Sequence, residues 1–195
     1  MARTSHVKRS TSETQIEVSL NLDGSGIQDI KTPIPFLDHM LSQLAKHGYF
    51  DLTVKAQGDT QIDFHHTVED VGIAVGQAYK EALGEKKGIR RFAEASTPLN
   101  EALAQCVIDI SGRAFFVFNV ELPKSKIGEF DVELVSEFFQ AFSANSGTTL
   151  HLNSPYWSNL HHIVEALFKA FARALDSACS LDSRTSDIPS TKGTL

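Results

Sequence analysis

The stretch His65-His66-Thr67-Val68-Glu69 decides how this chain is organised, because it returns in the second half as His161-His162-Ile163-Val164-Glu165. The two copies begin 96 residues apart in a chain of 195 residues. Each copy opens a stretch whose apolar residues recur with helical spacing. One copy alone could be incidental polarity at a helix start, whereas two copies in matching surroundings predict an internal duplication.

The elements before each copy repeat as well. In the first half, alternation and turn residues predict strands over residues 15–22, up to residue 30 and over 52–54, and helices over 36–47 and 66–83. In the second half they predict strands over 104–110, 114–120 and 149–152, and helices over 134–144 and 162–179. Each half is therefore predicted to be a β-β-α-β-α unit. Two such units are expected to pack through their helices, which leaves a sheet on each outer side of an α+β fold.

No linker separates the two halves, so we expect one compact domain. Its predicted parts are a flexible N-terminal arm over residues 1–12, a first half-repeat over 13–90, a second half-repeat over 91–181 and a C-terminal tail over 182–195. The composition of the tail predicts that it is disordered or held by a partner.

Composition and charge narrow the classes of function. A net charge of −6 argues against nucleic-acid binding, which usually shows as a basic face. The apolar stretches are too short to span a membrane, and none follows a basic N-terminus as a secretory signal would. We therefore expect a cytoplasmic protein, unless a removed transit peptide directs it to a plastid. Cys106 and Cys179 both lie in apolar runs and are predicted to be buried thiols rather than a disulfide.

The repeated motif carries the residue types of a metal site. Positions i and i+4 of a helix share a face, so His65 and Glu69 can bind one ion, while His66 points about 100° away. Imidazole and carboxylate together suit Mn²⁺, Fe²⁺, Zn²⁺ or Co²⁺. His39 and Glu137 open the preceding helix of each half, and the repeat makes them equivalent ligands. The two halves thus offer enough ligands for a metal pair.

These motifs resemble one family, the imidazoleglycerol-phosphate dehydratases of histidine biosynthesis. The resemblance is carried by Asp63-Phe64-His65-His66-Thr67-Val68-Glu69-Asp70 and by Ile34-Pro35-Phe36-Leu37-Asp38-His39-Met40-Leu41. It extends over residues 10–14, 21–24, 98–103, 109–113, 161–169 and 189–193, and so covers most of the chain. Four positions depart from the family pattern: Glu137 stands where many relatives have His, Trp157 and Pro33 replace Gly, and Asn100 replaces Asp.

The resemblance implies a helical layer between two four-stranded sheets and a homo-oligomer of 24 subunits built from trimers. It also implies two Mn²⁺ per subunit at subunit interfaces. One ion would take His65, Glu69, Glu137 and His162, and the other His39, His66, His161 and Glu165. The substrate would contact Glu13, Gln43, Arg91, Arg113, Lys169, Ser190 and Lys192, with Arg90 a less certain neighbour.

The implied reaction converts imidazoleglycerol phosphate to imidazole-acetol phosphate and water. The carbon hydrogen that is lost is not acidic, so elimination becomes feasible if the ring N–H is removed and two cations stabilise the imidazolate. Glu13 and His47 are our candidates for proton transfer, and the ligands Glu69 and Glu165 complete the expected catalytic set. Glu13 could equally serve solubility at a strand edge, and the basic residues could form ordinary surface ion pairs.

Two other functions remain open at this point. A dinuclear metal-dependent hydrolase of a small phosphorylated substrate would use an equivalent metal pair, and product analysis would separate it from a dehydratase. A metal-storage or metal-sensing protein would have no use for the anion-binding residues. The expected partner in either enzyme is a small phosphorylated molecule, with neither nucleic acid nor membrane involved.

Overall fold

Two four-stranded sheets enclose four helices in the computed structural model, which describes residues 3–195. The first half contains β1 (Thr4–Ser10), β2 (Thr14–Asn21), β3 (Gln28–Lys31), α1 (Pro35–Gly48), β4 (Asp51–Gly58) and α2 (His65–Leu83). The second half contains β5 (Phe92–Leu99), β6 (Ala102–Asp109), β7 (Phe115–Asn119), β8 (Lys126–Ile127), β9 (Phe130–Asp131), α3 (Leu134–Ser146), β10 (Thr149–Tyr156) and α4 (Leu160–Cys179). Along residues 3–195, no helix is long and apolar enough to cross a membrane.

The two sheets have the same topology. Their strand orders are β1-β2-β4-β3 and β5-β6-β10-β7, and the last pair in each sheet is parallel while the others are antiparallel. The strands alternate as their sequences predict: Ile16, Val18 and Leu20 of β2 are buried against the helices, whereas the residues between them face outward. The expected duplicated α+β architecture, with a helical layer between two four-stranded sheets, is confirmed.

Each half begins with a strand that the sequence did not reveal. The prediction of a flexible arm over residues 1–12 is wrong for Thr4–Ser10, which pair along their whole length with β2. Met1 and Ala2 lie outside the described residues. In the second half, Phe92–Leu99 form the equivalent edge strand β5. Both strands lie at a sheet edge and bury one face, so their polar outward residues hide the apolar pattern that a central strand shows.

The second half also contains an insertion. The β8–β9 hairpin lies between β7 and α3, where the first half has only a short connection between β3 and α1. Phe130 of this hairpin packs on Phe36 of α1, with ring centroids 5.1 Å apart. The hairpin therefore covers the N-terminal turn of α1 and makes the two halves unequal at that point.

The C-terminal tail lies against its own chain, so the expectation of a disordered segment is wrong, while the alternative of a partner that holds the tail stays a prediction. The Gly88 N–H donates to Asp187 O at 2.9 Å, and the Asp182 N–H donates to Gly88 O at 2.7 Å. The Arg91 side chain donates to Pro189 O at 2.9 Å. These hydrogen bonds involve backbone N–H and C=O groups of the tail. The side-chain composition of the segment does not reveal them.

The helix layer depends on two glycines of α2. A Cβ atom at Gly72 would lie 2.7 Å from Phe138 O, and one at Gly76 would lie 2.7 Å from Phe142 O. A step of four residues along α2 thus matches a step of four along α3, so the two helices run parallel and in close contact. Their N-terminal turns, where His65 and Glu137 lie, are therefore at the same end of the layer.

We expect a bulky residue at Gly76 to destabilise the protein, because α3 has no room to receive it. Gly76→Val should lower the free energy of unfolding by about 2 kcal/mol, within the range usual for overpacking. Glu81→Val is the matched control, since Glu81 is exposed on the same helix, and it should cost about 0.5 kcal/mol or less through helix propensity. Denaturant unfolding would measure both, and equal losses would show that the contact is not tight.

Candidate metal centre

His39, His161 and Glu165 form a compact group of possible metal ligands. The Nε2 atoms of His39 and His161 each lie 3.1 Å from Glu165 Oε2. One ligand atom from each residue lies within 4.8 Å of the others, and among residues 3–195 no other three residues meet that condition. His39 comes from α1 and the other two come from α4, so the packing of these helices assembles the group.

Glu165 is held in its ionised form. Burial opposes ionisation, but hydrogen bonds from Lys169, His39 and His161 outweigh it and lower the pKa of Glu165 to about 2. Lys169 Nζ lies 2.5 Å from Glu165 Oε1, while the two histidines contact the other oxygen. The carboxylate therefore has one oxygen directed at the histidine pair, as a metal ligand would.

Aromatic packing supports this group on one side. The edge of the Phe36 ring meets His161 with centroids 5.4 Å apart, and the β8–β9 hairpin backs Phe36. A cavity of about 380 Å³ lies beside His39, and its mostly apolar lining consists of Ile34, Pro35, Phe36, Phe64, Ile127, Gly128, Glu129 and Phe130. His39 thus lies at the edge of an apolar recess, and His161 lies beside Phe36, which lines that recess.

The first motif supplies an equivalent, looser arrangement. His65 Nε2 lies 3.8 Å from Glu69 Oε2, and both side chains are partly exposed. Glu137 is half-buried in the first turn of α3, which runs parallel to α2. Glu137 thus occupies the position that His39 has in the other half. In a single chain these three residues do not converge as the His39 group does.

The second histidine of each motif turns away from these groups. The ring planes of His65 and His66 meet at 87°, and those of His161 and His162 at 84°. His66 Nδ1 lies 3.0 Å from Asp59 Oδ2, and His162 Nδ1 lies 2.9 Å from Glu101 Oε2. One helical residue turns the side chain by about 100°, so neighbouring histidines cannot bind the same ion. Each predicted set of four therefore has three members on one helix pair and a fourth pointing elsewhere.

The two candidates for proton transfer lie beside different parts of the site. Glu13 is in the turn between β1 and β2, with Oε2 3.9 Å from His66 Nδ1. His47 is near the end of α1, where burial and the positive charges of Lys169 and Arg173 lower its pKa. His47 is therefore neutral at pH 7 and able to accept a proton. Glu13 lies in another part of the site, beside the predicted ligand His66.

The predicted substrate-binding residues separate into two groups. Gln43 and Lys169 belong to the His39 group, with Gln43 Nε2 3.5 Å from His39 Nδ1. Ser190 and Lys192 lie in the tail, and the Arg91 guanidinium anchors that tail through Pro189 O. The remaining members are Arg113, which is exposed beside Gly112, and Glu13, which is described above.

Arg91 is itself firmly placed. Its guanidinium forms a bidentate ion pair with Asp109, at 2.7 and 3.1 Å, and lies over the Phe92 ring at 4.5 Å from the centroid. Its backbone N–H donates to Ala178 O near the end of α4. Lys169 lies nine residues before Ala178 on that helix. About 13 Å of helix therefore separates the region around Arg91 from Lys169, which lies beside the predicted ligand Glu165.

Three carboxylates of the site were not predicted to be functional residues. Asp59 and Glu101 hold the second histidines, and Asp70 is buried. Asp70 accepts a hydrogen bond from Thr14 and forms an ion pair with Arg9, whose Nη2 lies 2.8 Å from Asp70 Oδ1, and so ties the β1–β2 turn to α2. These residues lie at irregular spacings from the motifs, and Asp70 alone was noticeable as the motif's next residue.

A cavity larger than the one beside His39 lies elsewhere in the described chain. It measures about 630 Å³ and lies on the outer face of the first sheet. Two of its three lysines are already paired, since Lys8 lies 3.4 Å from Glu17 and Lys55 contacts Asp29. This concavity is therefore a solvated sheet face on which most of the charges are paired.

The sequence and the fold both match known proteins. The profile of the family described as imidazoleglycerol-phosphate dehydratase matches residues 32–175. The imidazoleglycerol-phosphate dehydratases of Trichlorobacter lovleyi and Citrifermentans bemidjiense are 57% and 60% identical over 195 residues, covering 100% of both chains in each case. The crystal structure of the Staphylococcus aureus enzyme has a TM-score of 0.83 at 39% identity, covering 92% of this chain and 99% of that one. The Pyrococcus furiosus enzyme, in complex with (S)-C348, has a TM-score of 0.83 at 33% identity, covering 97% and 100%.

The duplicated α+β fold with its histidine and carboxylate cluster thus defines a lyase of the dehydratase class. The chain belongs to the imidazoleglycerol-phosphate dehydratase family. Its activity is the dehydration of imidazoleglycerol phosphate in histidine biosynthesis, and the hydrolase alternative is not favoured.

The depressed pKa of Glu165 predicts a defined pH dependence of stability in the metal-free protein. A carboxyl group whose pKa is lowered on folding stabilises the fold above its unfolded pKa, about 4.3, and this contribution is lost as the pH falls towards about 2. Glu165→Gln should therefore be less stable than the parent above pH 5, and the difference should shrink at pH 3. Unfolding midpoints at the two pH values measure this, with Glu81→Gln as the exposed control. A difference independent of pH would show that Glu165 is not held ionised.

Proposed function

We propose that this dehydratase uses two Mn²⁺ per subunit and that each ion is bound where two subunits meet. The observation that carries the proposal is the division of ligands in one chain. His39, His161 and Glu165 converge, while His66 and His162 point away from both groups. A neighbouring subunit can present such a histidine to the three converged ligands.

The donor set fits the proposed ions. Neutral imidazole nitrogens with carboxylate oxygens suit Mn²⁺, and the two cysteines are buried in the core, away from these ligands. The proposed ligands of one ion are His65, Glu69, Glu137 and His162 of a neighbour. Those of the other are His39, His161, Glu165 and His66 of a neighbour. Glu137 adds a carboxylate to the first set, which makes that set more negative than the second.

The proposed assembly is the 24-subunit particle built from trimers that the family resemblance implies. Its support in the structure is local: His65, His66 and His162 are partly exposed in the single chain, so their free faces are accessible to another copy. We also propose a cytoplasmic location, where the free thiols Cys106 and Cys179 would stay reduced.

The reaction removes the hydroxyl next to the imidazole ring and a proton from the adjoining carbon, and the resulting enol becomes the ketone. When bound, the two ions would stabilise the negative charge on the ring nitrogens once the ring N–H is lost. His47 is neutral at pH 7 and can accept a proton, and Glu13 lies beside His66 where the substrate would meet the site. Glu69 and Glu165 serve as ligands, and Lys169 keeps Glu165 ionised.

The phosphate of the substrate is proposed to bind Arg91, Arg113, Lys169, Ser190 and Lys192, with Gln43 near the ring end. The anchored tail supports this, because Arg91 places the backbone of Pro189 directly before Ser190. Because about 13 Å of helix separates Lys169 from the Arg91 region in one chain, Lys169 would come from a different subunit than the other phosphate-binding residues. The net charge of −6 argues that the partner is this small anion, bound where basic residues converge, rather than nucleic acid or a membrane.

Subunit mixing tests whether the ligands come from two chains. His66→Ala and His161→Ala should each bind fewer than two Mn²⁺ per subunit and lose activity towards imidazoleglycerol phosphate. Co-refolding the two variants should restore part of the activity, because some interfaces then combine an intact His161 group with an intact His66. Elemental analysis, light scattering and a product assay with and without Mn²⁺ provide the readouts.

One further pair of variants is the control for the mixing experiment, and two other results would contradict the proposal. Co-refolding His39→Ala with His161→Ala should restore nothing, since both changes affect ligands from the same chain. A fully active monomer in light scattering would overturn the interfacial site. Release of inorganic phosphate as the main product, in place of a phosphorylated ketone, would contradict the dehydratase assignment.

The basic residues Arg113 and Lys192, which lie outside the proposed ligand groups, should act through substrate binding. Arg113→Ala and Lys192→Ala are expected to raise KM at least tenfold while the bound Mn²⁺ stays at two per subunit, because they lie away from the ligands. Arg184→Ala is the control, as Arg184 lies earlier in the tail and pairs with Asp182. Unchanged KM in both variants would show that the phosphate binds elsewhere.

A further inference from the structure

Asp59 contacts both His66 and the turn that carries Glu13. It follows directly after β4, and its side chain is only 14% exposed. Its two carboxylate oxygens lie 3.0 and 3.3 Å from His66 Nδ1, and its backbone N–H donates to Glu13 O at 3.1 Å. One residue thus fixes the position of a predicted ligand and of a predicted proton-transfer residue relative to each other.

Glu101 holds His162 in a similar way from a different element. It lies in the tight turn between β5 and β6, after Asn100 with its positive φ of 50°. Its Oε2 lies 2.9 Å from His162 Nδ1, while its Oε1 accepts the Asn159 N–H at 2.8 Å. Asn159 in turn caps α4 by accepting the His162 N–H. The carboxylate is therefore itself held, and cannot follow the imidazole freely.

In both halves a carboxylate contacts Nδ1 of the second histidine, but the two carboxylates come from positions that are not equivalent in the repeat. The strand registers make Glu101 the counterpart of Glu13, yet in the first half Asp59 makes the closer contact with the histidine. A partly exposed ion pair alone contributes little stability, so stability does not explain why both halves place a carboxylate on Nδ1. The orientation of the ring explains it, because a hydrogen bond at one ring nitrogen determines whether the other nitrogen carries the proton or a free lone pair.

We propose that Asp59 and Glu101 are positioning residues that fix the tautomer and ring orientation of His66 and His162, so that each presents Nε2 to a metal ion. In the neutral ring the proton then lies on Nδ1 and is donated to the carboxylate, which leaves the Nε2 lone pair free. This inference rests on the proposed function, in which these two histidines complete the metal sets of a neighbouring subunit. Carboxylate partners of this kind orient ligand histidines and raise their basicity.

Metal affinity, measured on the assembled protein, tests the proposal. Asp59→Ala and Glu101→Ala should each weaken one of the two Mn²⁺ sites by about 10- to 100-fold, as is usual for carboxylates behind ligand histidines. Asp59→Asn and Glu101→Gln keep an acceptor for the Nδ1 proton and should lose less than the alanine variants. Glu94→Ala, which removes an exposed carboxylate from β5, is the matched control and should bind Mn²⁺ as the parent does.

The metal-free melting temperature of each variant separates a positioning role from a folding role. The proposal requires weaker Mn²⁺ binding in the alanine variants together with metal-free melting close to that of the parent. If an alanine variant does not fold, the amide variant of the same residue gives the test, with weaker binding still expected.

Two results would overturn the inference, and they are distinguishable. If the parent binds two Mn²⁺ per subunit and all four variants bind them equally well, Asp59 and Glu101 do not position the ligands and the proposed function stands. If the parent itself binds no Mn²⁺, the proposed metal sites fail, and the positioning role fails with them.

Discussion

The parallel packing of helices in the central layer is the constraint on which the site depends. α2 lies directly against α3 because Gly72 and Gly76 leave room for the opposing backbone. α1 lies against α4, with His39 beside Glu165 and His47 near Lys169. Parallel helices bring their N-terminal turns to the same end of the layer. The proposed ligand residues of each pair lie near the starts of those helices, so the packing that closes the core also brings them together. One contact thus serves both folding and the proposed metal binding.

The second feature is the angular step between neighbouring residues of a helix. His65 and His66, like His161 and His162, must point in directions about 100° apart. The first histidine of each pair joins a carboxylate four residues later, and the second meets a carboxylate from a loop instead. A single subunit therefore carries converged ligands on one face and oriented, unshared histidines on another. Such a surface is well suited to a site completed by a second copy.

Much of the fold could be predicted from the sequence because the duplication presents most elements twice, in two different sequences that predict the same structure. The alternating β2 and the apolar spacing of α2 and α4 are long and regular, so their existence was evident. The strands β1 and β5 were missed, since each is at an edge with one face in water. The β8–β9 hairpin was missed for another reason: it has no counterpart in the first half, so the repeat gave no guidance.

The candidate site likewise divides into features that short segments of sequence predict and features that only tertiary packing decides. Local spacing alone determined that the two His-His-x-x-Glu motifs supply ligands in two directions, and the repeat alone paired His39 with Glu137. The tertiary structure decided which of these residues meet, that Lys169 keeps Glu165 ionised, and that Asp59 and Glu101 hold the second histidines. Helical periodicity is a property of a short segment and can be read from its residues. Contacts between a loop carboxylate and a distant imidazole depend on how strands and helices pack, and that arrangement is encoded in the whole chain rather than in any segment.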